Sequence, residues 1–206
     1  MNSLELLIAT SNAGKVAELR ELLAQVPARL LSLGDVGLTG LDVAEDAGSL
    51  AGNAAAKARA YAEAAGLLAL ADDTGLFVDA LDGAPGIYPA RYGGPGLLMA
   101  ERRALLLEAL SGVPDARRTA AFRAVVALAN PRTGQVQTAQ GECAGRIAQT
   151  ESNGSTGFGY DPLFIPDGYT LSFSDLSAAE KNRISHRARA VQAMIPLLLA
   201  QAADSR

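Results

Sequence analysis

Residues 4–9, LELLIA, form a short and almost unbroken apolar run that stops at a polar hexapeptide, TSNAGK, after which apolar side chains return at Val16, Leu19, Leu23 and Val26. A run of that length without alternation is the signature of a strand buried on both faces, and the three- and four-residue spacing behind it is that of a helix. The chain therefore opens as strand, polar turn and helix, which commits it to a sheet covered by helices. The alternation recurs. Residues 30–33 read as a second short strand, 53–65 as an alanine-rich helix that Gly66 ends, and 67–71 as a return to the sheet. Beyond them 76–81 reads as a strand, GAPGIYPARYGGPG at 83–96 as a turn-rich loop, and 97–110 as a helix with leucines along one side. Residues 119–129 and 135–147 flank Asn130-Pro131-Arg132-Thr133-Gly134 as a β-hairpin, 152–161 is a second polar loop, and 178–194 is a last helical region. Early alternation followed by a hairpin predicts an α/β protein with a mixed central β-sheet flanked by helices.

At 206 residues the chain is expected to be one domain spanning 1–206. A formal charge of -4 carries no basic footprint, so nucleic acid is not an expected partner. Cys143 is the only cysteine and cannot pair within the chain; it reads as a packing residue. The opening MNSLELLIATSN has no basic segment leading into a long apolar stretch, and the apolar run at 193–200 contains Pro196 and falls short of the roughly 20 residues that span a bilayer. The expectation is a cytoplasmic protein without a membrane partner.

Four groups of residues could carry chemistry. The turn TSNAGK offers backbone N–H groups, the positive end of a helix and the Lys15 ammonium to a phosphate, and it serves equally as a plain helix cap built on Ser11 or Asn12. It is not a Walker A loop, because Ala9 and Val16 stand where that motif needs Gly and Ser or Thr. The acids Glu45, Asp46, Asp72 and Asp73 are hard oxygen donors of the kind Mg2+ takes. Asp72 and Asp73 diverge if the strand continues and converge only if it bends at Thr74-Gly75; a solvated turn accounts for the same run. FGYD at 158–161 can stack a base on Phe158 and read its edge, or supply core aromatics. Lys181, His186 and Arg187 in EKNRISHR bring donors that suit a purine carbonyl or a phosphate, while a lone histidine on a helix is also an ordinary packing residue.

In order along the chain, TSNAGK, NAAAKA at 53–58, ADDTGL, GAPGIYPARY, GFGYDPLF and EKNRISHR resemble the inosine triphosphate pyrophosphatase family, which hydrolyses deaminated purine nucleoside triphosphates. The resemblance spans residues 10–187. It implies a two-lobed α/β fold with the active site in the cleft between the lobes. It further implies hydrolysis of ITP, dITP and XTP to the monophosphate and pyrophosphate, with Mg2+ as cofactor, in a homodimer. Thr10, Ser11, Asn12, Ala13, Gly14 and Lys15 match the family's triphosphate turn, and Asn53 and Lys57 a polar pair near the phosphates. Glu45 and Asp73 match metal ligands, and Asp73 also matches the catalytic proton acceptor. Thr74 falls at a position that touches substrate, and Phe158, Gly159, Tyr160, Asp161, Lys181, His186 and Arg187 match the nucleoside site. Gly52 departs from the pattern, since the family usually carries a glutamate before that asparagine. A nucleotide-sensing protein without turnover and a pyrophosphatase for other modified nucleotides are the alternatives.

Overall fold

The computed structural model describes residues 4–204, which form the strands and helices of an α/β protein. Seven strands join in one sheet of order β2-β1-β3-β5-β6-β7, with β4 paired to β3. The pairings of β1 (Leu4–Ile8) with β2 (Ala28–Ser32) and with β3 (Leu68–Val78) are parallel, whereas β3 with β4 (Pro85–Gly86) and β6 (Val136–Ile147) with β7 (Phe164–Pro166) are antiparallel, so the sheet is mixed as expected. The described residues form two compact units, one of residues 4–73, 124–141 and 187–204, the other of residues 74–123 and 142–186.

In the first unit, β1 is almost wholly buried, which is why its sequence shows no polar alternation. Leu6, Ile8 and Leu70 pack with Leu19 and Leu23 of α1 (Ala13–Leu22) and with Val191, Met194 and Leu198 of α5 (His186–Asp204). Helix α2 (Leu50–Ala65) starts three residues before the expected 53, because the Ser49 hydroxyl accepts from Gly52 N at 3.0 Å and caps it there.

The second unit is built on Leu76, Val78, Leu106, Leu110, Phe122, Leu163, Phe164 and Phe173, with the Phe122 and Phe164 rings 4.7 Å apart edge to face. It holds α3 (Met99–Ala109) and α4 (Ala178–Ile184). The hairpin that follows β5 (Thr119–Ala129) belongs to the first unit, where Asn130 N closes it by donating to Gln135 O at 3.0 Å.

Two expectations need correction. The chain does not turn at Asp-Asp-Thr-Gly; β3 runs straight through it to Val78, and a short 3-10 turn, Asp79–Leu81, follows. The strand survives two adjacent charges because each carboxylate finds cations, and Gly75 is required within it because a Cβ there would stand 2.7 Å from the carbonyl of Gly86 on β4. The helical region at 178–194 is two helices, since Ser185 takes an extended ψ of 156° between α4 and α5.

Candidate active site

The hexapeptide at 10–15 turns from β1 into α1. Asn12 caps the helix, its side chain accepting from Lys15 N at 3.2 Å, and its own N–H donates to Thr10 Oγ1 at 3.3 Å. Ser11, Asn12 and Ala13 are exposed and Thr10, Gly14 and Lys15 half-buried, so the capped end of α1 is open to an anion. The two readings of this turn, cap and phosphate cradle, use the same geometry.

Period-two divergence in the unbroken strand sends the paired aspartates to different partners. Asp72 is buried, its Oδ2 3.1 Å from Lys15 Nζ and 3.0 Å from both Nε and Nη2 of Arg187, whose Nη1 donates to Glu18. Burial pushes the Asp72 carboxyl up, but the Lys15 and Arg187 charges outweigh it and hold the group well below the usual carboxylate range. Lys15 is lowered by burial despite Asp72. Arg187 is held above its ordinary value: burial opposes its charge, and Asp72 and Glu18 overcome that.

Asp73 is nearly buried and meets α2: Asn53 Nδ2 donates to its Oδ2 at 3.1 Å and Lys57 Nζ to its Oδ1 at 3.0 Å. The same ammonium donates to Glu45 Oε1 at 2.6 Å, while Asn53 Oδ1 accepts from Ala47 N at 3.0 Å and so ties the Glu45 segment to the helix. Burial pushes the Asp73 carboxyl up against the pull of Lys57 and Asn53. Burial opposes the charge of Lys57 too, yet Asp73 and Glu45 prevail and raise it.

Among the described residues no group of three or more His, Cys, Asp or Glu could hold a metal ion. Two carboxylates nevertheless converge on one cation, the Lys57 ammonium, and two hard oxygen donors suit Mg2+, which completes its shell with water and substrate phosphates. Asp46 is exposed and Asp72 is committed to Lys15 and Arg187.

In the second unit Thr74 follows Asp73 on β3 and is half-buried. Asp161 Oδ2 accepts from Phe158 N and from Lys181 Nζ, each at 2.7 Å, and the ammonium sits 5.2 Å from the Phe158 ring centroid. Phe158, Asp161 and Lys181 thus form one cluster, and Gly159 lies in the turn between the first two. Tyr160 is a core aromatic, its hydroxyl donating to Pro89 O at 3.0 Å and pushed up to about 12 by burial. His186 is buried and stacks on Phe122 with centroids 4.6 Å apart, and Phe173 lies near both His186 and Lys181. Arg187, next in sequence, belongs to the first unit's charge network. Sequence reading missed Glu18 and Arg103, which donates to Gly159 O. Glu18 lies three residues after Lys15 on α1, a spacing that would have revealed it.

No helix among the described residues is long and apolar enough to cross a membrane. Residues 6–197 match the Ham1 family. The chain is 47% identical over 196 residues to the dITP/XTP pyrophosphatase of Desulforamulus reducens, covering 95% of this chain and 96% of that one. It superposes on the structure of a HAM1 protein from Coxiella burnetii with a TM-score of 0.83 at 36% identity, covering 96% of this chain and 99% of that one. The crystal structure of a nucleoside-triphosphatase, dITP/XTP pyrophosphatase, from Mycobacterium abscessus matches with a TM-score of 0.72 at 41% identity over 94% of this chain and the whole of that one. The resemblance carried by the six motifs and these matches agree: the chain belongs to the Ham1 family.

Proposed function

We propose that this protein is a nucleoside-triphosphate pyrophosphatase that hydrolyses deaminated purine nucleotides, ITP, dITP and XTP, to the monophosphate and pyrophosphate, cleansing the nucleotide pool. The observation that carries the reading is the alternation of cations and carboxylates in the first unit: Lys15 and Arg187 on Asp72, and Lys57 between Asp73 and Glu45. The similarity to dITP/XTP pyrophosphatases over nearly the whole chain supports the substrate class.

The triphosphate is assigned to the turn at 10–15, with Lys15, Lys57 and Asn53 supplying positive charge and donors. Glu45 and Asp73 would hold a divalent cation, Mg2+ on this reading, which supplies charge neutralisation at phosphate oxygens. Asp73 accepts the proton of a water whose oxygen bonds the α-phosphorus; the bond from that phosphorus to the bridging oxygen breaks and pyrophosphate leaves. A carboxyl pushed up by burial is the better base. The base is assigned to Phe158 for stacking, with Gly159, Tyr160, Asp161, Lys181 and His186 shaping its surroundings, Thr74 touching substrate and Arg187 contributing charge. Donors facing a 6-carbonyl pair with hypoxanthine and xanthine and meet another donor on adenine, a mismatch that costs heavily when buried. The setting is cytoplasmic, as the sequence leads one to expect, and the enzyme homodimeric, as the resemblance implies.

Incubation with Mg2+ and ITP, XTP, dITP, GTP, ATP or dUTP tests this. Pyrophosphate without orthophosphate, fastest from the deaminated purines, is expected. Orthophosphate alone would overturn attack at the α-phosphorus, and tight binding without release would make the protein a sensor.

A further inference from the structure

The turn that carries Phe158 is fixed from inside and from outside. Inside it, Gly157 sits at a φ of +79°, and a Cβ there would collide with Asp161 Oδ2, so glycine is what lets that carboxylate fold back onto Phe158 N at 2.7 Å. From outside, Arg103 of α3 donates through Nη1 to Gly159 O at 2.9 Å. The same guanidinium places Nε 2.9 Å and Nη2 2.7 Å from Glu151 Oε1. One side chain therefore ties the start of the polar loop to its tip, joining residues 103 and 159 across 56 positions of sequence.

Stability alone does not explain this arrangement. The Glu151 side chain is 38% exposed, and an ion pair open to water contributes little. What Arg103 supplies is direction: a planar fork serves a carboxylate edge-on and still has a donor for a carbonyl, which a lysine ammonium on a flexible stem does not hold in one geometry. Gly159 follows Phe158 directly, so holding the Gly159–Tyr160 peptide through its carbonyl leaves only the backbone torsions of Gly159 between the clamp and the peptide that joins it to Phe158.

We infer that Arg103 is a positioning residue for nucleobase recognition, setting the orientation of Phe158 by clamping Gly159 O to Glu151. The inference rests on the pyrophosphatase reading and deepens it. Base affinity depends on Arg103 while phosphate affinity does not, because none of the groups assigned to phosphate touches the clamp.

The test compares wild type with Arg103→Met, Arg103→Lys and, as a control for losing an exposed arginine of the same unit, Arg123→Met. Steady-state ITP hydrolysis and calorimetric binding of ITP and of inorganic tripolyphosphate are the readouts. Arg103→Met should raise KM for ITP about tenfold with kcat within about twofold, because it removes binding shared by ground and transition states. Tripolyphosphate affinity should not change, Arg103→Lys should restore only part of the loss, and Arg123→Met should behave as wild type. If Arg103→Met does not fold, Glu151→Gln should raise KM in the same direction by a smaller factor. An unchanged KM in the variants, or equal losses for ITP and tripolyphosphate, overturns the inference. Absence of pyrophosphate release from wild type would instead overturn the functional reading.

Discussion

Arg187 donates from both Nε and Nη2 to one carboxylate oxygen of Asp72, at 3.0 Å each, across 115 residues of sequence. Both side chains are buried, and Lys15 is the second cation on the same oxygen. Replacing Asp72 with Asn would leave two cations facing each other with Glu18 as the remaining acid in the network. Stranding a buried charge in this way costs about 3 to 5 kcal/mol. Urea unfolding at pH 7 should show that loss for Asp72→Asn; a change below about 1 kcal/mol would mean water reaches the network.

The acid limb of stability should trace to the same residue. The folded-state pKa of Asp72 lies below the ordinary 3.8, so its contribution is complete above that value and is lost as pH falls through the folded one. Urea midpoints measured from about pH 5 downward should decline in wild type and decline less steeply in Asp72→Asn. Equal slopes would assign the acid sensitivity elsewhere.

Asp73, its neighbour, has the opposite sign. Burial raises its folded-state pKa, so the stability linked to it is present below the unfolded value and lost as pH rises through the folded one. Asp73→Asn should therefore be at least as stable as wild type at pH 7, while kcat for ITP falls by about 100- to 10,000-fold through loss of the base. Circular dichroism melts beside pyrophosphate release separate the two effects, and a variant that is both folded and fully active would remove Asp73 as base.

How much of this was legible follows from where the partners lie. The strand, capped turn and helix at the N-terminus were readable because Asn12 and Lys15 are three residues apart and the apolar run of β1 needs no distant information. Divergence of Asp72 and Asp73 was readable from strand periodicity. Continuation of β3 through them was not, because Arg187 comes from the far end of the chain and Lys15 from near its start, and a carboxylate pair without visible cations looks like a solvated turn. The clamp of Arg103 on Gly159 was equally hidden, since nothing local to MAERRALLLEA distinguishes one of its two adjacent arginines.

Gly52 stands where the resembled family usually has glutamate, and the structure gives a steric reason why this chain does not. A Cβ there would lie 2.7 Å from Ala47 Cβ and 3.0 Å from Ser49 Oγ, and Ala47 is held in place by Asn53. Gly52→Ala should lower stability by about 1 to 3 kcal/mol despite the better helix propensity of alanine. Removing the opposing methyl in Gly52→Ala with Ala47→Gly should recover most of the loss in thermal melts; additive losses would mean the two positions do not meet.

Lys57 occupies the point on which Glu45 and Asp73 converge, 2.6 Å from one and 3.0 Å from the other, so its ammonium and a divalent cation compete for the same oxygens. Lys57→Met removes the competitor and leaves two carboxylates without it between them. Without added metal the variant should melt lower than wild type, because like charges are then brought together. Millimolar Mg2+, without nucleotide, should raise its melting temperature more than it raises that of wild type, since an ion that binds only the folded state stabilises in proportion to its affinity there. The comparison needs no turnover, so it isolates ion binding from whatever Lys57 does for substrate. Equal Mg2+ shifts in the two proteins would place the cation away from Glu45 and Asp73.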